Sequence, residues 1–337
     1  MALKVVHLNM KPVDPETSRR ILGQIGAQVV VAECETEEQV IQVCRDADAI
    51  MRVGGSLSRK VIESLERCRI ISCYAVDIDG LDVAAATEKG IVVTFAPDSS
   101  TEEVSDHAMA FMLALGRKLF FYDRVVRAHQ WGEDHTAIVR MGRPMPRLRG
   151  LTVGSIGLGR AGLALARKVQ AFGMRFLAYD PYIKPDAGRE LGVETADLDR
   201  VLRESDFLHL NIPLNKETHH FVDAPKLRKM KATAYLINST ARGQIIDEEA
   251  LYKALKEKWI AGAALDNLEK RPLEQNPLLK LDNVILTPHV CHISDTSYED
   301  LARRVSEDVV RFFKGEWPPV VVNPKVKEKV RLQPVSA

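Results

Sequence analysis

Gly157, Gly159 and Gly162 have the spacing at which glycines bind the phosphates of a dinucleotide. Gly157 permits a tight turn, Gly159 lacks the Cβ that would keep the backbone off a pyrophosphate, and Gly162 lets a helix pack closely on a strand. The first turn of that helix, with Arg160 and Ala161, offers backbone N–H groups to the phosphates. A glycine-rich turn without a ligand is the alternative interpretation of the same three residues.

The elements around these glycines favour the nucleotide interpretation. Residues 152–156 form an apolar stretch typical of a buried strand, and residues 161–172 repeat apolar side chains at helical spacing. A second predicted strand, 175–179, ends at Asp180, eighteen positions after Gly162, where a carboxylate can accept hydrogen bonds from a ribose 2′-OH. The same carboxylate would repel a 2′-phosphate, so the pattern predicts NAD rather than NADP.

Arg242, Glu269 and His289 each follow a predicted strand of the second half of the chain. If the sheet is parallel, all three converge on one crevice beside the nicotinamide. Each side chain has an alternative interpretation: a surface turn arginine, a solvated glutamate and a hydrogen-bonded core histidine. Their common position at the ends of adjacent strands favours a reactive site.

The elements that must position these groups alternate between strands and helices, which is typical of an α/β protein with parallel sheets. We expect a long, largely buried helix over 101–127, an irregular arm over 131–149, a final helix over 296–314 and a mobile charged tail from Lys325. The predicted strands are 5–8, 29–31, 49–53, 70–72 and 91–93, followed by 152–156, 175–179, 206–210, 234–238, 262–265 and 284–286.

Length and composition favour a two-domain protein that binds small molecules. The chain has 337 residues, and its 47 Lys and Arg nearly balance 46 Asp and Glu, so no strong field attracts nucleic acid or an anionic membrane. No apolar stretch is long enough to span a bilayer. The five cysteines are odd in number and lack metal-ligand spacing, so we expect reduced thiols, no metal site and a cytoplasmic protein.

Several motifs resemble those of one family, the D-isomer-specific 2-hydroxyacid dehydrogenases. Residues 241–251 resemble its arginine motif, 262–269 its glutamate motif and 287–289 its histidine motif, and 103–107 and 215–220 also match. Within the family, the chain is similar to glyoxylate or hydroxypyruvate reductases and to C-terminal-binding proteins. The resemblance implies two doubly wound parallel-sheet domains with a cleft between them. These are a flavodoxin-like substrate domain (1–98 and 291–337) and a Rossmann NAD-binding domain (99–290).

The resemblance also implies roles for the reactive groups. Arg242 would grip the carboxylate of a 2-keto acid with a forked pair and polarise its ketone. His289 would give the ketone oxygen a proton as a hydride arrives, and Glu269 would be hydrogen-bonded to the His289 imidazole and orient it. The expected reaction interconverts a 2-keto acid and a D-2-hydroxy acid, in a homodimer.

Further positions are implied to contact the cofactor or the substrate. Asp266 would hold the nicotinamide carboxamide, and Pro213 would lie along the adenosine side unless it only ends a strand. Thr101 would approach the cofactor, although a simple helix N-cap is an equal alternative. The remaining expected cofactor contacts are Thr218 and Thr240, and the remaining expected substrate contacts are Gly54, Tyr74, Ala75, Val76, Asp77 and His292.

The substrate loop departs from the pattern of the family. The family has a glycine-rich loop whose backbone N–H groups receive the substrate carboxylate, but Ala75 and Asp77 stand where glycines are usual. An unpaired aspartate beside an anionic substrate would cost binding energy. One extra residue before Arg242 can also re-aim its guanidinium.

Two alternative functions follow from these departures. The first is an NADH-responsive scaffold similar to the C-terminal-binding proteins, in which the altered loop no longer serves catalysis. The second is the same hydride chemistry on an unusual substrate, with Asp77 recognising a hydroxyl or a cation.

Overall fold

A computed structural model gives the structure of residues 2–9, 14–74, 78, 80–129, 135–184, 186–240, 242–269 and 273–334. The chain divides into unit 1, residues 1–100 and 293–337, and unit 2, residues 101–292. Within the described ranges, every helix is too short or too polar to span a lipid bilayer.

Unit 1 is built on a five-stranded parallel sheet with the order β2-β1-β3-β4-β5, which is the flavodoxin-like order. Its strands are β1 (Lys4–Leu8), β2 (Gln28–Ala32), β3 (Ala49–Arg52), β4 (Ile70–Cys73) and β5 (Val92–Phe95). The helices between them are α1 (Glu16–Leu22), α2 (Glu37–Cys44), α3 (Arg59–Ser64) and α4 (Val83–Glu88).

Unit 2 carries a seven-stranded parallel sheet with the order β12-β11-β10-β9-β6-β7-β8. Its helices are α5 (Thr101–Gly116), α6 (Leu119–Arg127), α7 (His135–Met141), α8 (Arg160–Ala171), α9 (Leu198–Glu204), α10 (Ala224–Leu227) and α11 (Glu248–Lys256). Its strands are β6 (Thr152–Ile156), β7 (Arg175–Tyr179), β8 (Val193–Thr195), β9 (Phe207–Leu210), β10 (Tyr235–Asn238), β11 (Gly262–Leu265) and β12 (Val284–Leu286).

The chain returns to unit 1 with α12 (Ser297–Phe313), which packs on α1 and β4. Short 3-10 turns complete both units at Gly23–Ile25, Arg189–Leu191, Gly243–Ile245, Leu273–Gln275, Pro277–Lys280 and Pro324–Glu328.

The central strands of each sheet are buried on both faces, as expected where helices cover a parallel sheet on both sides. In β4 of unit 1, Ile70 packs against α1 and α12, while Ile71 packs into the cluster on the opposite face. This alternation has period two and explains why the strands appear in the sequence as continuous apolar runs. The prediction of two parallel-sheet α/β domains is confirmed.

Three local predictions were wrong. The helix expected over 101–127 is broken into α5 and α6, because Lys118 has a φ of 56° and its ammonium donates to Tyr235 Oη at 2.8 Å. The irregular arm contains α7. The charged tail is packed rather than mobile, since Val326 has no exposed surface and Lys329 Nζ donates to Glu88 O at 3.0 Å.

Candidate active site

The glycine loop that follows β6 is shaped by the residue that follows β9, Asn211. Gly157 has a φ of 90°, and a Cβ there would lie 2.2 Å from the carbonyl oxygen of Asn211. A Cβ on Gly162 would lie 2.8 Å from the Asn211 side-chain amide, whereas a Cβ on Gly159 would have its nearest neighbour, the same amide, at 3.4 Å. Packing inside the protein thus requires glycine at 157 and 162, and only Gly159 keeps space in front of it for a pyrophosphate.

Asn211 also caps α8. With its carboxamide oxygen turned toward the helix, Asn211 Oδ1 accepts hydrogen bonds from Gly159 N and Gly162 N, both at 3.1 Å. The first-turn amides of Arg160 and Ala161 remain the groups that would bind a phosphate. Sequence analysis missed Asn211, although a polar residue directly after β9, beside the point where the strand order reverses, is a usable signal.

Asp180 closes the same loop from the end of β7. Its Oδ2 accepts a hydrogen bond from Leu158 N at 3.0 Å, and its Oδ1 accepts one from Tyr182 N at 2.9 Å. A carboxylate has about four acceptor positions, so a half-buried Asp180 can still accept from a ribose hydroxyl. The glycine loop, the start of α8 and Asp180 therefore fit a dinucleotide with a free 2′-OH.

Arg242, Glu269 and His289 follow three neighbouring strands of unit 2. The last residues of β10, β11 and β12 pair with one another, so the three strands end in one row. A Cβ on Gly243, next to Arg242, would lie 2.4 Å from Glu269 N. The loops that carry Arg242 and Glu269 are therefore in direct backbone contact.

Asp266 fixes the loop that presents His289. The Asp266 carboxylate has no exposed surface and accepts hydrogen bonds from Thr287 Oγ1, from Val290 N at 3.0 Å and from Cys291 N at 2.9 Å. His289 N donates to the Asp266 carbonyl oxygen at 2.7 Å. Burial raises the pKa of the Asp266 carboxyl, but the hydrogen bonds outweigh burial and hold that pKa below its usual value.

This arrangement gives Asp266 a structural role, because its carboxylate has no exposed surface and holds the His289 loop. The predicted contact of Asp266 with the nicotinamide carboxamide stays a prediction. His107 of α5 completes the arrangement, with Nε2 at 3.1 Å from Thr287 Oγ1 and 3.8 Å from Asp266 Oδ1. Burial lowers the pKa of His107, and the Asp266 charge opposes that shift in part.

Glu269 pairs with a different histidine from the one predicted. Glu269 Oε1 lies 2.8 Å from His220 Nε2, and among the described residues its side chain makes no hydrogen bond to His289. The physical reason lies in the backbone, because His220 N donates to Gln244 O at 2.8 Å and Gly243 packs on the Leu268–Glu269 peptide. These contacts hold His220 and Glu269 on adjoining segments.

Glu248 is a further residue that the sequence analysis left without a role. It is buried in the first turn of α11, its Oε1 accepts a hydrogen bond from Glu269 N, and its Oε2 accepts one from Asn276 Nδ2 at 2.9 Å. Glu248 therefore fixes the backbone of Glu269.

His289 adopts a left-handed backbone conformation with a φ of 59°, and its ring centroid lies 5.1 Å from that of His292. Non-glycine residues in this conformation are uncommon and are enriched at functional sites. Burial lowers the pKa of the His292 imidazole, and the neighbouring His289 lowers it further. The predicted proximity of His292 to His289 is thus observed.

Comparison with known proteins agrees with this geometry. Residues 109–291 match the family model for the NAD binding domain of D-isomer specific 2-hydroxyacid dehydrogenases. The chain belongs to this family. It is 40% identical over 301 residues to a glyoxylate reductase of Korarchaeum cryptofilum, covering 89% of each chain. It is 38% identical over 329 residues to a glyoxylate reductase of Thermofilum pendens, covering 96% of this chain and 95% of the relative.

A solved structure gives the same result. D-lactate dehydrogenase from Aquifex aeolicus, complexed with NAD and lactic acid, superimposes with a TM-score of 0.79 at 29% identity, covering 96% of this chain and 98% of the other. The protein is thus an NAD-dependent 2-hydroxyacid dehydrogenase, and the predictions of the family and the cofactor are confirmed.

Two loops of unit 2 in this dehydrogenase are held by their own threonines. Thr218 Oγ1 donates to Pro213 O at 2.6 Å and accepts a hydrogen bond from Asn215 N at 2.7 Å. Thr240 Oγ1 donates to Asn238 Oδ1 at 2.7 Å. The predicted cofactor contacts of Thr218, Pro213 and Thr240 stay predictions.

In unit 1 of the dehydrogenase, Tyr74 is withdrawn from the predicted substrate loop. Its backbone N–H donates to Arg52 O at 2.8 Å and its hydroxyl lies 2.8 Å from Ser18 Oγ. Burial raises the pKa of the Tyr74 phenol. The Tyr74 backbone N–H is thus used inside unit 1 and its side chain is buried, and the predicted substrate contact of Tyr74 stays a prediction.

The other predicted positions of unit 1 and its border are less constrained. A Cβ on Gly54 would meet no atom within 4 Å, and Thr101 is the first residue of α5. Ala75, Val76 and Asp77, like Ala241 of the arginine motif, lie outside the described residues.

Proposed function

We propose that this dehydrogenase reduces glyoxylate, or a 2-keto acid of similar size, to the 2-hydroxy acid, with His289 as the proton donor and Arg242 as the carboxylate ligand. The observation that carries the proposal is the Asp266 arrangement, which fixes the His289 loop beside the strand ends that bear Arg242 and Glu269. Relatives about as similar as 40% identity are named glyoxylate reductases, which supports glyoxylate as the substrate.

Each residue would contribute one interaction to the reaction. Bound NADH supplies the hydride. The Arg242 guanidinium binds the substrate carboxylate with two parallel hydrogen bonds and leaves the 2-oxo carbonyl group beside the His289 imidazole. Protonated His289 gives its proton to the carbonyl oxygen as negative charge develops there, which yields the hydroxyl group. In the reverse direction, neutral His289 takes the same proton back.

Glu269 would act as a positioning residue that has two possible partners. In this structure its carboxylate holds His220 at 2.8 Å. To stabilise the imidazolium form of His289, the Glu269 carboxylate would turn from His220 toward the loop that carries His289. We therefore propose that Glu269 exchanges between the two histidines during turnover.

We propose the same division of roles between the domains as the sequence analysis does. Residues 99–290 would bind NAD, and residues 1–98 together with 291–337 would bind the substrate. We also propose a homodimer, since α6 and α7 expose Leu119, Phe120, Val126 and Met141. Sedimentation of the purified chain tests this part, and a monomer at high protein concentration contradicts it.

The decisive test of the substrate is a comparison of keto acids. NADH is mixed with the protein and with glyoxylate, hydroxypyruvate, pyruvate or a bulky branched 2-keto acid, and the loss of NADH absorbance is followed. We expect kcat/KM to be highest for glyoxylate or hydroxypyruvate. Tight NADH binding without oxidation by any of these acids contradicts the proposed substrate class.

A further inference from the structure

We propose that His219, His220 and Glu269 form a binding site for a divalent transition-metal ion of the zinc type, and that an ion bound there inhibits the dehydrogenase. Each of the three side chains offers one ligand atom, and these atoms all lie within 4.8 Å of one another. Sequence analysis predicted no metal site, because two adjacent histidines lack the usual spacing of metal ligands.

The backbone explains how two adjacent histidines come to one side. His220 has a φ of 51°, in the left-handed region, and the two imidazole rings lie 4.1 Å apart with an interplanar angle of 31°. The turn is held at both residues, since His219 N donates to Asn215 O at 3.0 Å and His220 N donates to Gln244 O at 2.8 Å. Main-chain hydrogen bonds therefore hold the backbone of both histidines in the turn that brings their rings together.

The third ligand comes from a rigid position. The Glu269 side chain is 17% exposed, its backbone N–H donates to Glu248, and its peptide packs on Gly243. His220 already touches Glu269, and the exposed His219 closes the group from the solvent side. His220 and Glu269 are thus preorganised as ligands. His219, the ligand that must move, is the exposed one.

The donor set suits zinc better than calcium or magnesium. Imidazole nitrogen binds Zn²⁺ at about 2.0–2.1 Å and a carboxylate oxygen at about 2.0–2.2 Å, which puts tetrahedral ligands about 3.3 Å apart. The exposed His219 ring would move by at most roughly 1.5 Å to reach that separation, because all the ligand atoms already lie within 4.8 Å of one another. Two histidines and one glutamate leave the fourth tetrahedral position for a water molecule.

The inhibitory part rests on the proposed function. If Glu269 must leave His220 to assist His289, an ion coordinated by both His220 and Glu269 prevents that exchange. The ion would lower kcat while NADH binding stays unchanged, because the glycine loop and Asp180 make no contact with the three ligands among the described hydrogen bonds.

The binding test uses the full chain without added histidine tags and ZnCl₂ as the probe. Isothermal titration compares wild type with His219→Ala, which removes one ligand outside the proposed catalytic groups, and with His135→Ala, an exposed histidine remote from the cluster in sequence. We expect the His219→Ala variant to bind one Zn²⁺ at least about tenfold more weakly, since each lost ligand removes a coordinate bond. Equal Zn²⁺ affinity in wild type and His219→Ala overturns the site.

The inhibition test is separate and uses the same three proteins. Glyoxylate reduction is followed as Zn²⁺ rises, and we expect wild type and His135→Ala to be inhibited over the concentration range that saturates the titrated site. His219→Ala should keep its basal rate and require about tenfold more Zn²⁺ for inhibition. Saturation of the site with no loss of rate overturns the inhibitory role. Because binding is read by heat, failure of the keto acid assay does not affect the test of the site.

Discussion

The two units use parallel sheets of similar construction but place their polar groups differently. In unit 2, the glycine loop, Arg242, Glu269 and His289 lie in loops just after the strands, and Asp266 uses its buried oxygens to hold one of those loops. In unit 1, the buried His7 lies inside β1, where neither ring nitrogen has a hydrogen-bond partner in the described part of the chain. The sheet is thus a scaffold, and reactive groups are found where loops can supply their partners.

Histidines inside the strands differ from the histidine on a loop after a strand. His209 in β9 has Nε2 at 2.9 Å from Ser239 Oγ, and burial lowers its pKa to about 4. Burial, helped by the Arg19 charge, lowers the pKa of His7 to about 4 as well. Both rings are therefore neutral core residues, whereas His289 is presented on a loop with a left-handed backbone.

The largest expected effect comes from removing the loop histidine of unit 2. His289→Gln should lower kcat for glyoxylate reduction by about 100-fold or more, because it removes the proton donor. NADH affinity, measured by fluorescence, should stay unchanged. His135→Gln is the control for a surface histidine, and an equal loss of rate in both variants would contradict the assignment.

Arg242→Lys should have the next largest effect. Lysine keeps the positive charge but loses the forked pair, so kcat/KM for glyoxylate should fall by about 10- to 100-fold. Steady-state kinetics check this expectation. Unchanged kcat/KM would mean that the guanidinium does not contact the substrate.

Asp180→Ala tests the nucleotide part of unit 2. Removing the carboxylate removes a repulsive charge from the site of a 2′-phosphate, so the NADPH to NADH ratio of kcat/KM should rise by about tenfold. Parallel assays with both cofactors measure it. An unaltered ratio would show that Asp180 only holds the glycine loop through Leu158.

The smallest effect concerns His7 of unit 1. Between about pH 6.5 and pH 4, unfolded His7 takes up a proton while folded His7 does not, so stability falls as pH is lowered through this window. His7→Phe should remove about 1 kcal/mol per pH unit from that dependence. Urea unfolding at several pH values measures the slope, and a slope equal to wild type contradicts a neutral His7.

The strands and the order of functional residues could be predicted because they depend on local patterns. Buried apolar runs predicted the strands β6, β7, β11 and β12 with the bounds that the structure shows. The polar residues after these strands could then be identified as candidates for the site. The strand β8 (Val193–Thr195) was missed because three residues at a sheet edge carry too little pattern.

The partners of the functional residues could not be predicted in the same way. The pairing of Glu269 with His220 depends on a left-handed φ at His220 and on the packing of Gly243. The periodic pattern of apolar residues in the sequence predicts neither of these features. The cap of α8 by Asn211 joins residues about fifty positions apart, so it also depends on the tertiary structure. The break at Lys118 has the same origin, since Tyr235 receives its ammonium.

The central claim is that the imidazole of His289 delivers the proton during hydride transfer. Its most direct test is single-turnover oxidation of bound NADH by glyoxylate, followed by rapid-mixing absorbance in wild type and His289→Gln. We expect the His289→Gln rate to be about 100-fold or more below the wild-type rate, because the ring that gives the proton is absent. A His289→Gln enzyme that oxidises bound NADH at the wild-type rate would contradict the account.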